Sequence, residues 1–160
     1  MEPTATAIPE MFVRHREEGE ARWWLGSLAV IKATSQETDG RFSLVEVMEN
    51  EGETPLHVHH NEDETFWVLE GNVEFEVGGR SVEAGPGAML FAPRGIPHRY
   101  VVRGGPAHML FLFTPGGFEN LLRATSDPAA EWRIPTGEEG LPDFETLHET
   151  VARHGCELLG

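Results

Sequence analysis

His57-Val58-His59-His60-Asn61-Glu62-Asp63-Glu64 is the most chemically loaded run in this chain. On a β-strand, side chains alternate between faces, so His57 and His59 point the same way and His60 the other. Asn61-Glu62-Asp63 reads as a polar turn, and Glu64 opens the apolar run Thr65-Phe66-Trp67-Val68-Leu69. A hairpin-like return through that turn brings the Glu64 carboxylate beside the two imidazoles. Two neutral imidazoles and one carboxylate on a rigid sheet suit a divalent first-row metal.

Apolar periodicity on both sides of this run is that of strands. Before it, residues 23–31 are apolar on both faces, 35–40 form a turn cluster, and 41–49 alternate. Phe42, Leu44, Glu46 and Met48 share one face of that alternating strand, and Ser43, Val45 and Val47 share the other. After it, strands are expected at 65–70, 73–77, 80–83, 88–92, 98–102 and 107–113, with Gly- and Pro-rich turns between them. Such even spacing of short strands predicts an all-β sandwich or barrel rather than βαβ units. Two short helices should follow. The first takes Thr114 as cap and Pro115 as first helical residue, with Phe118, Leu121 and Leu122 in one stripe. The second runs from about Pro142 to a stop at Gly155, with Phe144, Leu147 and Val151 on one face. The chain then divides into an N-terminal arm (1–22), a barrel (23–114) and a helical C-terminal extension packing on the barrel (115–160).

With 160 residues, the chain holds one domain with a full core. Its single cysteine, Cys156, excludes an intramolecular disulfide and fits a reducing, cytoplasmic setting. No apolar run approaches the roughly eighteen residues of a membrane span. The formal charge of −15 repels a phosphate backbone and anionic lipid alike, which argues against nucleic acid and membrane as partners. A small-molecule ligand is the expected partner.

A second run, Gly87-x5-Pro93-x-Gly95-x2-His98, places a histidine at a strand start directly behind a Pro/Gly loop. Together with Gly52-x4-His57-x-His59-x4-Glu64-x6-Gly71, it resembles the paired motifs of the cupin superfamily. The likeness extends to small single-domain bacterial cupins, some of them quercetinase-like, and is close over residues 41–113. Two features depart from the family pattern. Four residues rather than five separate Gly52 from His57, and Val102 stands where the second motif usually ends in Asn. The resemblance implies a cupin jelly-roll β-barrel with one divalent transition metal per chain (iron, nickel, manganese, copper or zinc) held by His57, His59, Glu64 and His98. It also implies a homodimer built on sheet faces with an exchanged N-terminal segment. Trp23, Trp24 and Trp67 offer apolar surface for such an interface. A site of three nitrogens and one oxygen keeps open positions, which favours chemistry or ligand binding over a structural role.

Strand parity suggests the walls of the pocket. Phe66 and Val68 share a face with Glu64, and Tyr100 shares one with His98. Phe42, Leu44 and Met48, or Phe111 and Phe113, complete an apolar lining, and Tyr100 and Arg94 near the mouth are candidates to orient a substrate. Glu46 either acts as an acid or base beside the metal, together with Glu64 and Tyr100, or lies on the outer face. His15, His60, His108, His148 and His154 are expected to be non-ligands. Of the functions this allows, a mononuclear metal dioxygenase acting on a small apolar, phenolic or enolic molecule ranks first. A non-redox metal-dependent isomerase, cyclase or decarboxylase comes next, and a metal-dependent small-molecule binding module last.

Overall fold

The computed structural model describes residues 8–160. The arm's first seven residues lie outside the described residues; from residue 8 the arm has no regular structure until the first strand. Arg14 tethers it, donating to the Lys32 carbonyl at 2.7 Å and pairing with Glu37 at 2.6 Å. The elements then run β1 (Glu20–Trp24), β2 (Ser27–Ala33), β3 (Ser43–Glu49), β4 (Gly52–Glu53), β5 (His57–His59), β6 (Asp63–Val77), β7 (Arg80–Ala84), β8 (Met89–Ala92) and β9 (His98–Thr114). After β9 come α1 (Phe118–Ala124), β10 (Asp127–Pro128), α2 (Leu147–Ala152) and β11 (Cys156–Leu158).

β6 and β9 form the spine. They pair antiparallel from Asp63↔Thr114 to Val77↔His98. On its other edge β9 takes β3 along residues 107–113, then β4, and finally β5 through His57↔His98. β7 and β8 complete the far edge of β6, and β1 and β2 extend the sheet beyond β3. Inward side chains alternate along every long strand: Val45 and Val47, Phe66 and Val68, Val73 and Phe75, Tyr100 and Val102, Met109, Phe111 and Phe113 are all buried in one cluster.

Two expected breaks are not breaks. Gly71-Asn72 and Gly104-Gly105-Pro106 stay inside continuous strands of 15 and 17 residues. Here glycine serves bending rather than termination. The β6–β9 register slips between Val68 and Asn72, and a Cβ on Gly71 would stand 2.6 Å from the Pro106 carbonyl oxygen. The long strands thereby turn the corner from one half of the barrel to the other.

The C-terminal extension is less helical than expected. α1 starts at Phe118, three residues past Pro115, and Glu119 anchors it through Ser35 and Ser43. α2 spans only Leu147–Ala152, leaving Phe144 ahead of it. Beyond Gly155, with φ at 75°, the chain becomes strand β11 and pairs with β5. Residues 127–134 cross the outside of the sheet, where Trp132 and Ala129 help cover Trp23, Leu28, Val30 and Met48. Trp23 is therefore core, its indole N–H donating to the Arg133 carbonyl at 3.0 Å. Among the described residues no helix is long and apolar enough to cross a membrane.

Candidate metal centre and pocket

Three strands deliver the cluster. β5 aims His57 inward with His59 beside it, β9 begins at His98 directly opposite His57, and Glu64 enters one residue into β6. One nitrogen from each of His57, His59 and His98 lies within 4.8 Å of the others. The Glu64 oxygens stand 3.5 Å from His59 Nε2 and 3.8 Å from His98 Nε2. Of the remaining ring nitrogens, those of His57 and His98 meet carbonyls. His57 Nδ1 donates to the Pro55 carbonyl at 2.8 Å, and His98 Nδ1 faces the Ile96 carbonyl at 3.4 Å. His59 Nδ1 and Glu62 Oε1 are 3.0 Å apart in poor hydrogen-bond alignment. In His57 and His98 the carbonyl contacts fix the tautomer that leaves Nε2 as a lone-pair donor. His98 Nε2 is buried and has no hydrogen-bond partner.

Electrostatics of the cluster fit a cation. Burial holds His57 down at about 4, helped by the charges of His98 and His59, so this imidazole is neutral at pH 7. Burial alone would also lower His59. Contacts with Cys156 and Glu62, and then the charge of Glu64, reverse that and raise it to about 10. Burial would raise Glu64, but the His98 contact and the neighbouring imidazoles outweigh it and hold the carboxyl below its usual value. The acids around His59 thus demand positive charge at this spot, which a proton or a metal ion can meet. An orphaned Nε2, imidazoles with fixed tautomers and an ionised carboxylate suit a first-row divalent metal.

The cluster opens on a cavity of about 330 Å³, the size range of small-ligand pockets. Trp24, Phe111 and Phe118 form part of its wall, and Tyr100 and Glu49 supply polar groups. Leu147, Val151, Cys156 and Leu158 close it from the C-terminal extension.

Of the wall expected from parity, Tyr100 and Phe111 face the cavity, whereas Phe66, Val68 and Phe113 pack in the core behind it. Four expectations on residues 42–48 are corrected together. Phe42, Leu44, Glu46 and Met48 do not line the cavity, because Val45 and Val47 take the inner face of β3. Glu46 instead meets His108 Nε2 at 2.8 Å on the outer face, away from the histidine cluster. Arg94 is also misplaced by the sequence reading: it is exposed and held by Asp63 at 3.2 Å and by the Thr114 carbonyl. His60 pairs with Glu157 at the surface, and His154 bonds to the Thr150 carbonyl.

Sequence reasoning missed Glu49, Glu62, Trp24, Phe118 and Cys156. Glu49 was available by parity, as the next residue on the Ser43-Val45-Val47 face. Glu62 was local to the turn after His59, whereas Cys156 reaches the site only because the C-terminal chain folds back as β11, for which the sequence carries no periodic signal.

A family model described as a cupin domain matches residues 43–113. A quercetin 2,3-dioxygenase of Bacillus subtilis (strain 168) is 30% identical over 123 residues, 76% of this chain. The chain spans only 36% of that relative's length. Among solved structures, the polyketide cyclase RemF from Streptomyces resistomycificus superposes with a TM-score of 0.56 at 28% identity, covering 66% of this chain and 80% of its own. KdgF from Halomonas sp. superposes with a TM-score of 0.58 at 21% identity, covering 70% of this chain and 98% of its own.

Proposed function

Because the chain belongs to the cupin superfamily through its domain at residues 43–113, we propose that it is a metal-dependent enzyme acting on a small planar phenolic or enolic molecule, foremost as a dioxygenase. The observation that carries this reading is the convergence of His57, His59, His98 and Glu64 at one end of an aromatic-walled cavity. These four residues would hold the ion. A divalent transition metal there supplies Lewis acidity and, when redox-active, a path for electrons to dioxygen.

The rest falls to the chain itself. Trp24, Phe111, Phe118 and Tyr100 offer ring faces and edges against which a planar ligand packs. α2 and β11 keep bulk water from the cluster by covering it with Leu147, Val151 and Leu158. Glu64 contributes fixed negative charge, because the imidazoles around it keep it ionised. The likeness to a quercetin dioxygenase favours oxygen chemistry. The likeness to a polyketide cyclase supports a second reading, non-redox ring closure of a polyketide chain in the same pocket.

Oxygen uptake separates the two. Protein loaded with iron, nickel, copper or manganese is offered flavonols, catechols, β-diketones and aromatic polyketides. Uptake that needs both metal and ligand supports the dioxygenase; product without uptake supports the cyclase. A spectral shift with no product leaves a binding module. No shift and no turnover with any pair would sink the proposal.

A further inference from the structure

The cavity has a second polar pole. Glu49, the last residue of β3, lines it, and although the residue is partly exposed as a whole, its Oε1 is shut off from solvent. That oxygen has no hydrogen-bond partner among the described residues. Its polar neighbour is the Tyr100 hydroxyl, which also feels the charge of Glu64. Of the other polar residues lining the cavity, Thr54 has its Oγ1 accepting from the Tyr100 backbone N–H at 3.0 Å, and Glu53 is solvent-exposed. Phe111, Phe118 and Leu121 add apolar wall to the same cavity.

We propose that Glu49 is the pocket's specificity residue, binding a ligand hydroxyl remote from the oxygen held at the histidine cluster. This rests on the phenolic or enolic reading above and narrows it to a planar molecule with oxygen functions at both ends. A closed-off carboxyl oxygen lacking a partner is an open hydrogen-bond position, and a ligand group that fills it is favoured over one that leaves it empty. Burial also pushes the Glu49 carboxyl up to about 7, with the Tyr100 hydroxyl opposing. Near neutrality it therefore donates as well as accepts, which matches a hydroxyl, itself donor and acceptor.

Two flavonols test this on the metal-loaded protein. Quercetin and 3-hydroxyflavone share the 3-hydroxy-4-keto group that would meet a metal at the histidine cluster, but only quercetin carries further hydroxyls. The wild type should bind quercetin roughly tenfold or more tighter, about the worth of one hydrogen bond to an ionisable group. Glu49→Met keeps length without polarity and should erase that preference, leaving 3-hydroxyflavone affinity and metal content unchanged. Glu49→Gln, which still donates and accepts, should keep most of the preference. Equal loss for both ligands in Glu49→Met, or an undiminished preference, overturns the assignment. So does a wild type that binds the two alike, a result independent of any variant's folding. If neither flavonol shifts the metal's spectrum, the phenolic reading fails first and this inference fails with it.

Discussion

The buried carboxyl of Glu49 should be visible in folding as well as in binding. Its pKa is raised from 4.5 to about 7, chiefly by burial, so the folded chain holds this proton more tightly than the unfolded chain. Stability from this group is thus fully present below about pH 4.5 and is lost as pH rises through 7. Glu49→Gln, which never charges, should match the wild type near pH 4.5 and exceed it at pH 8 by about 3 kcal/mol. Urea unfolding of both at the two pH values measures the difference, and an equal gap at both would contradict a buried, titrating Glu49. The ligand residues make a second prediction. Ala at His57, His59, Glu64 or His98 should weaken metal binding by more than about tenfold, since even the outer contacts of such ligands are worth that much. Ala at the outward-facing His60 or at His148 should leave metal content unchanged. Metal analysis after chelator competition decides, and a His57→Ala, His59→Ala double variant that keeps its metal would remove the site.

The strand pattern, the inward parity of β6 and β9 and the approach of Glu64 to the two histidines were legible because each is local: period two, and a turn of three polar residues. Continuity of the long strands was not, because Gly71 looks the same in sequence whether it ends a strand or bends one. The inner face of β3 was misjudged for a related reason. Both of its faces carry apolar residues, and only the covering of Met48 by Trp132 and Ala129, about eighty residues away, makes the outer one apolar too. Gly71 supplies the test at this scale. With φ at 93° and β9 backbone 2.6 Å from where a Cβ would sit, Gly71→Ala forces the two strands apart at the corner. We expect a loss of about 2–4 kcal/mol and a fall of several degrees in Tm by calorimetry. An unchanged Tm would mean that the corner is not tightly made.

As a whole, the molecule leaves one sheet face bare. Trp67, Met89 and Phe91 are 46%, 55% and 53% exposed, and the β6–β8 register sets them side by side. Large apolar patches of this kind mark interfaces. Trp23 and Trp24 take no part, being turned to the core and the cavity. We predict a homodimer through the β6–β8 face, seen by light scattering as twice the 17.8 kDa chain mass. Trp67→Lys should give monomers, and because each copy carries a net charge of −15, added salt should strengthen the dimer. A lone monomer at all micromolar concentrations would refute it. The pairing of β11 with β5 has a consequence in time. During synthesis the strand bearing His57 and His59 emerges roughly a hundred residues before its neighbour Cys156–Leu158, on the order of five to twenty seconds at ribosomal speed. Through that interval one edge of β5 has no neighbour, and the imidazoles stand open to whatever ions surround the nascent chain. Divalent ions differ in affinity for such donors far less selectively than a finished cage would require. Any metal bound at this site would then be partly set by the ions present where and when the chain was made.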